Sequence, residues 1–156
     1  MPVMFTKGDL FHDHELRAFA HGVSCAGAMD SGVALAFKKR WPAMFEDYRA
    51  RCADKRVHLG DVVVWSDEQA TVYSLAIQEH WKQKASLAAL KRAAVKMVEL
   101  AEIAGVERIG VPRIGTGMGG LDWQRAKSVL TDAGSKSKVG LIVFEQFVRS
   151  KAASES

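Results

Sequence analysis

The sequence predicts an α/β domain of three layers, α/β/α, with helices packed on both faces of a central mixed, largely parallel sheet. Three observations carry that expectation. Short apolar runs alternate with longer segments of helical periodicity along the whole chain, the order that parallel crossovers require. Two of those runs lead into small-residue or glycine-rich turns, Ser24 to Gly32 and Pro112 to Gly120, each followed by a helical pattern. No repeat, linker or low-complexity block divides the 156 residues, a length that suits one domain.

Taken in order, Val3 to Phe5 form a short opening strand and Lys7-Gly8-Asp9-Leu10 turns the chain. Glu15 to Ala18 are irregular or briefly helical, and Ala18 to Val23 make a buried strand containing His21, which is read as structural. Ser31 is placed as the N-cap of a helix whose Val33, Ala36, Phe37 and Trp41 share a face and which Pro42 ends. A second short helix carries Phe45, Tyr48 and Cys52. After a polar connection, Leu59 to Trp65 and Thr71 to Ile77 read as two strands joined by Ser66 to Ala70. Ser86 caps a long helix with Leu87, Leu90, Ala94, Met97, Val98 and Ala101 as a core stripe, and Gly105 ends it. Ile109 to Val111 is a strand, Trp123 to Ala133 a helix capped by Asp122, and Gly140 to Phe144 the last strand. The domain is expected over residues 1–149, with 150–156 a disordered tail.

A composition of 48% hydrophobic and 26% charged residues is ordinary for a globular protein, and no apolar run approaches the roughly 20 residues that span a bilayer. The first residues lack the basic and apolar pattern of a secretory signal, so a cytoplasmic protein without membrane contact is expected. Cys25 and Cys52 have no metal-ligand spacing and form no disulfide framework; both are expected to be reduced, and no metal or cofactor is implied. No apolar helix face is left unexplained, which favours a monomer. The net charge of +4 permits an anionic partner. Nucleic acid held by a basic surface from Lys82 to Lys96 is one alternative, although solvated helix faces produce such clusters routinely.

The chemistry concentrates in the glycine-rich turns. Glycines 115, 117, 119 and 120 remove the Cβ atoms that would keep a ligand away, so that successive backbone N–H groups can converge on an anion at a helix start. The stretch has neither the Gly-Lys-Ser/Thr of a Walker loop nor the spacing of the dinucleotide fingerprint.

Three segments in order, Met29-Asp30-Ser31-Gly32-Val33-Ala34, His80-Trp81-Lys82-Gln83-Lys84-Ala85-Ser86 and Gly117-Met118-Gly119-Gly120-Leu121-Asp122-Trp123, resemble the macro domain, the ADP-ribose-binding module. The resemblance runs from Phe5 to about Phe144, and its subgroup is that of the terminal ADP-ribose protein glycohydrolases and the DNA ADP-ribosyl glycohydrolase antitoxins. It implies a three-layer fold and a site for ADP-ribose, free or attached to protein or DNA. Asp9, followed by Leu10, would receive the adenine amino group, for which an acceptor-only carboxylate is suited. Ser24, Gly27, Met29, Ser31, Gly32 and Val33 on one side, and Pro112, Gly115, Thr116, Gly117, Met118, Gly119 and Gly120 on the other, would hold the diphosphate and distal ribose. The bottom-up alternative for Asp9 is a cap on the next turn.

The resemblance also has departures. Hydrolysis in the subgroup depends on a lysine at a position that here is Gln78, which forms no imine and has no titratable proton. The protein glycohydrolases place an aspartate where this chain has Gly119, and the antitoxin-like relatives an asparagine where it has Ser24. Asp30 stands where relatives usually have glycine, and a carboxylate there can act as general base on water; the plain reading is a backbone cap shared with Ser31. His80 has a solution pKa suited to acid/base work, beside a corner expected to be packed by Trp81. The catalytic set is therefore Asp30, Gln78 and His80, in a hydrolase that activates water without the lysine. A reader of ADP-ribosylation and an ADP-ribose phosphate phosphatase are the alternatives.

Overall fold

A computed structural model describes residues 3–13, 15–30, 32–80, 82–116 and 119–147. Six strands, β1 (Val3–Gly8), β2 (Ala18–Ser24), β3 (Val62–Ser66), β4 (Thr71–Gln78), β5 (Arg108–Pro112) and β6 (Gly140–Phe147), form one sheet in the order β1-β6-β5-β2-β4-β3. Neighbours pair in parallel except β3, which lies antiparallel to β4 at the edge. Among the described residues the helices are α1 (Gly32–Arg40), α2 (Pro42–Ala53), α3 (Leu87–Ile103) and α4 (Trp123–Ser135), with a 3-10 turn at Leu10–His12. The expected three layers and mixed, mostly parallel sheet are present.

Strand alternation divides the core in two. Tyr73, Leu75, Ile109, Val111, Leu141 and Val143 face α3 and α4, packing on Leu90, Met97 and Leu130. Phe19, Val23 and Val72 face α1 and α2, where Phe37, Trp41, Met44 and Tyr48 close an aromatic cluster. Within it Phe19 and Trp41 lie 4.9 Å apart between ring centroids, and Phe37 and Trp41 5.3 Å. His21 belongs to this layer, as expected of a structural histidine. It is buried, stacked on Phe37 at 4.0 Å, with Nε2 2.8 Å from Ser74 Oγ.

The helix caps at Ser86 and Asp122 form as expected: Ser86 Oγ accepts from Ala89 N and Asp122 Oδ2 from Arg125 N, both at 3.1 Å. Elsewhere the boundaries move. Strand β1 runs on to Gly8 and β6 to Phe147 because the two pair along their whole length. Strand β3 starts at Val62 rather than Leu59: Asp61 Oδ2 accepts from His58 N at 2.8 Å, and Gly60, at φ +89°, turns the chain first. Val33 does not share the buried face of α1 with Phe37; it is 41% exposed. Pro42 does more than end α1, since it also opens α2, where its missing N–H costs nothing. The capping role expected of Ser31, the tail and the corner at Trp81 lie outside the described residues.

What positions a site is the junction of β2 and β5. They are neighbours, paired at Phe19 and Gly110, yet β2 leads into α1 on one face of the sheet and β5 into α4 on the other. Their connections diverge, leaving a crevice at the carboxyl ends, the topological switch point of an open α/β sheet.

Candidate ligand crevice

One wall is the loop from Ser24 to Asp30. The β2–β4 ladder ends with Cys25 N donating to Gln78 O at 2.8 Å. Beyond it, Tyr48 on α2 takes over. Its hydroxyl donates to Ser24 O at 2.5 Å and accepts from Gly27 N at 3.3 Å, while Ser24 Oγ accepts from Ala26 N at 3.2 Å. Burial pushes the Tyr48 hydroxyl well above its ordinary pKa, so it remains a neutral donor. Gly27, at φ +84°, rests on α2; a Cβ there would sit 3.3 Å from Cys52 Cβ. Met29 is fully buried, and its side chain serves the core, which leaves its backbone for a ligand.

The opposite wall is folded by its own backbone. Gly115 turns at φ +74° and its carbonyl accepts from Leu121 N at 2.8 Å; Gly119 O accepts from Ala85 N at 2.8 Å. A Cβ at Gly119 would approach Gly115 O to 2.7 Å and Ala85 Cβ to 3.0 Å, so this loop leaves no room for the aspartate of the protein glycohydrolases. Its exit is braced by Trp123, whose Nε1 donates to Glu145 Oε1 at 3.1 Å, with Lys127 on the same oxygen at 3.1 Å and Arg113 over the indole at 5.2 Å. Gly117 and Met118 lie outside the described residues.

The side chains expected to be catalytic have unequal commitments. Gln78 Nε2 donates to Gln83 O, and Gln83 N donates to His80 O at 2.9 Å. His80 is exposed and its Nδ1 accepts from Lys82 N at 3.2 Å, which puts the ring proton on Nε2 when the imidazole is neutral. Asp30 faces solvent, its side chain 76% exposed, with Lys38 Nζ 3.7 Å from Oδ1.

Asp9 is held where the first strand ends. Its side chain is 5% exposed; Oδ1 accepts from Phe11 N at 3.1 Å and Oδ2 stands 3.0 Å from His12 Nδ1. The turn-capping geometry is thus present. A carboxylate has four acceptor sites, and these two bonds leave others for an amino group. Leu10 is core, packed over Gly110, so only its backbone is left for a ligand. Cys25 is a neutral thiol, pushed up to about 11 by burial and by Glu79, and burial raises Cys52 as well. Among the described residues no cluster of His, Cys, Asp and Glu could hold a metal ion.

Sequence reasoning placed Tyr48 on a helix face and missed its function. The available signal was a tyrosine in an apolar stripe, whose hydroxyl needs a partner once buried. The Glu145 brace gave no signal at all, because Trp123 and Lys127 lie on α4 and Glu145 on β6, brought together only by the fold.

Fold and crevice together define an α/β protein with two glycine turns facing each other across a switch point, an arrangement suited to a phosphate-bearing ligand. The Macro domain family model matches residues 20–130, and the chain belongs to that family. The DNA ADP-ribosyl glycohydrolase of Mycobacterium tuberculosis is 28% identical over 135 residues, covering 84% of this chain and 38% of that protein. The chain therefore spans well under half the length of that relative. Human ADP-ribose glycohydrolase OARD1 is 23% identical over 142 residues, 91% of this chain and 90% of that one. The macrodomain of Mycobacterium tuberculosis DarG superposes with a TM-score of 0.85 at 26% identity, over 95% of this chain and 98% of that chain.

Proposed function

We propose that this domain binds ADP-ribose across the crevice and hydrolyses its link to a modified macromolecule. The observation that carries the reading is the pair of glycine turns converging at the β2–β5 switch point, in a chain similar over most of its length to ADP-ribosyl glycohydrolases. The diphosphate lies between the Gly27 and Gly115 loops, adenine toward Asp9, and the distal ribose toward Gln78 and His80. Water attacks the anomeric carbon, the glycosidic bond breaks, and the departing group leaves with the proton. Asp30 is the candidate base, tied to α1 through Lys38. Gln78 acts as a positioning residue, because its amide holds the turn that carries His80.

A second reading, a binder that removes nothing, is favoured by one specific feature: the subgroup's lysine is replaced by a glutamine engaged in closing a turn. Calorimetric titration with ADP-ribose, followed by product analysis on ester-linked protein and thymidine-linked DNA, separates the two. The hydrolase predicts binding with release of ADP-ribose. Asp30→Ala should then lower turnover about 100-fold or more while leaving affinity nearly unchanged. Tight binding without release from either substrate overturns the hydrolase in favour of the binder.

A further inference from the structure

At the edge of the sheet beyond β4, a groove of about 410 Å³ runs between the end of α2, the start of β3 and the outer face of α3. Its walls carry Arg51, Arg56, Arg92 and Lys96 against Asp61 and Glu99. Internal pairing does not account for the excess. Arg51 is held by Asp47 at 3.0 Å, outside the groove lining, and Asp61 is occupied by His58 N at 2.8 Å. Arg56, Arg92 and Lys96 are exposed, and among the described residues none forms an ion pair.

The groove is shaped for these cations. A Cβ on Gly60 would come within 2.7 Å of Arg92 Cδ and 3.3 Å of Nε, so the glycine lets the arginine arm lie along the floor. Lys96 follows one helical turn later on the same side of α3, about 6 Å along its axis. Exposed Val95 lies between them. The groove is also built on the supports of the crevice. Gly60 N donates to Ala76 O at 2.8 Å, two residues before Gln78, and α2 carries both the groove's Arg51 and the Tyr48 that holds the first loop.

We propose that this groove is a nucleic-acid contact surface, in which Arg56, Arg92 and Lys96 take backbone phosphates of a strand passing beside the crevice. The cations come from two parts of the groove wall, Arg56 after α2 and Arg92 and Lys96 a turn apart on α3, and each is exposed to solvent. A small anion would gain little from any of them, whereas a polyanion engages them together and releases counterions. Guanidinium forks fit phosphate oxygens in pairs, and backbone contacts of this kind position a strand without reading its sequence. The inference goes beyond the hydrolase reading, because it concerns an unmodified strand and a different part of the surface.

The test is anisotropy titration of unmodified single-stranded DNA, duplex DNA and RNA of one sequence, with the intact chain and its R56Q/R92Q/K96Q variant, over a range of salt. Log affinity should fall with log salt at a slope of about −2 to −3 for three neutralised phosphates, and the form bound most tightly is the one the surface takes. The variant should bind at least about tenfold more weakly with a slope near zero. ADP-ribose affinity, measured in the same samples, should not change; its loss in the intact chain would instead count against the crevice reading. If the triple variant fails to hold ADP-ribose, K96Q alone should still reduce the slope by about 0.7 to 0.9. Failure of the intact chain to retain any of the three nucleic acids at low salt overturns the proposal, as does a variant of unchanged affinity and slope. Displacement of the strand by polyglutamate at equal charge concentration also overturns it, in favour of an acidic protein partner.

Discussion

The two walls of the crevice are held open by opposite means. The first loop is fastened by a side chain from a distant helix: the Tyr48 hydroxyl reaches both Ser24 O and Gly27 N. The second is fastened by main chain, through Leu121 N on Gly115 O and Ala85 N on Gly119 O, and by Gly115 and Gly119, which have no space for a Cβ. The first wall can therefore change its exposed residues, such as Asp30, so long as α2 stays in place. The second cannot change Gly115 or Gly119 without refolding.

The largest effect should come from the second wall. Gly119→Asp places a Cβ 2.7 Å from Gly115 O, a backbone atom that cannot swing aside. Overpacking of about 3 kcal/mol, expressed at the loop, corresponds to about a hundredfold loss of ADP-ribose affinity by calorimetry. An aspartate accommodated at unchanged affinity would mean that this loop is as adaptable as the first, and the contrast between the walls would fail.

Tyr48→Phe tests the first wall. It keeps the ring and removes one hydroxyl, so Ser24 O and Gly27 N lose a shared partner in a buried setting. A cost of about 1–3 kcal/mol in unfolding free energy is expected, with a weaker loss of ADP-ribose affinity than at Gly119. Urea titration of variant and parent reads the first quantity. A change within about 0.5 kcal/mol would show that the loop is fastened elsewhere.

How much of this could be read in the sequence depends on how local each interaction is. The caps at Ser86 and Asp122 bond three residues ahead, and both were legible. So were the strands and helices, whose periodicities of two and 3.6 are local patterns. The Tyr48 bond to Ser24 spans a strand, a loop and two helices, and nothing near either residue announces it. The glycines of the second loop were legible as a motif. The reason for Gly119 was not, because the obstructing atom is a carbonyl brought back by the turn at Gly115. Asp30 could be placed in the first loop, but its outward direction toward Lys38 depends on how α1 leaves that loop. Neither Gly60 nor Arg92 carried a signal alone; their relation exists only once β3 lies beside α3.

The effect that reaches beneath the first wall follows from His21. It lies on β2 three residues before Ser24, fully buried, with its pKa lowered to about 3 by desolvation. Ser74 Oγ points its proton toward Met44 Sδ at 3.9 Å, so His21 Nε2–H donates to Ser74 and Nδ1 is left as a buried acceptor without a partner among the described residues. An unpaired lone pair is tolerable there; a second N–H and a charge are not. The unfolded chain takes up a proton near pH 6.5 and the folded one does not until about 3. The stability that neutral His21 permits is therefore complete above 6.5 and is lost as pH falls toward 3, by up to about 1.4 kcal/mol per pH unit. His21→Phe removes this titration, so the urea midpoint of the parent should fall more steeply than the variant's between pH 7 and 5. Because β2 feeds the first loop, acid should also lower hydrogen-exchange protection, corrected for the intrinsic rate at each pH, at the Cys25 and Gly27 amides more than at Ala85 and Leu121. Equal loss of protection at all four would mean that His21 weakens the whole sheet and that the two walls share one support.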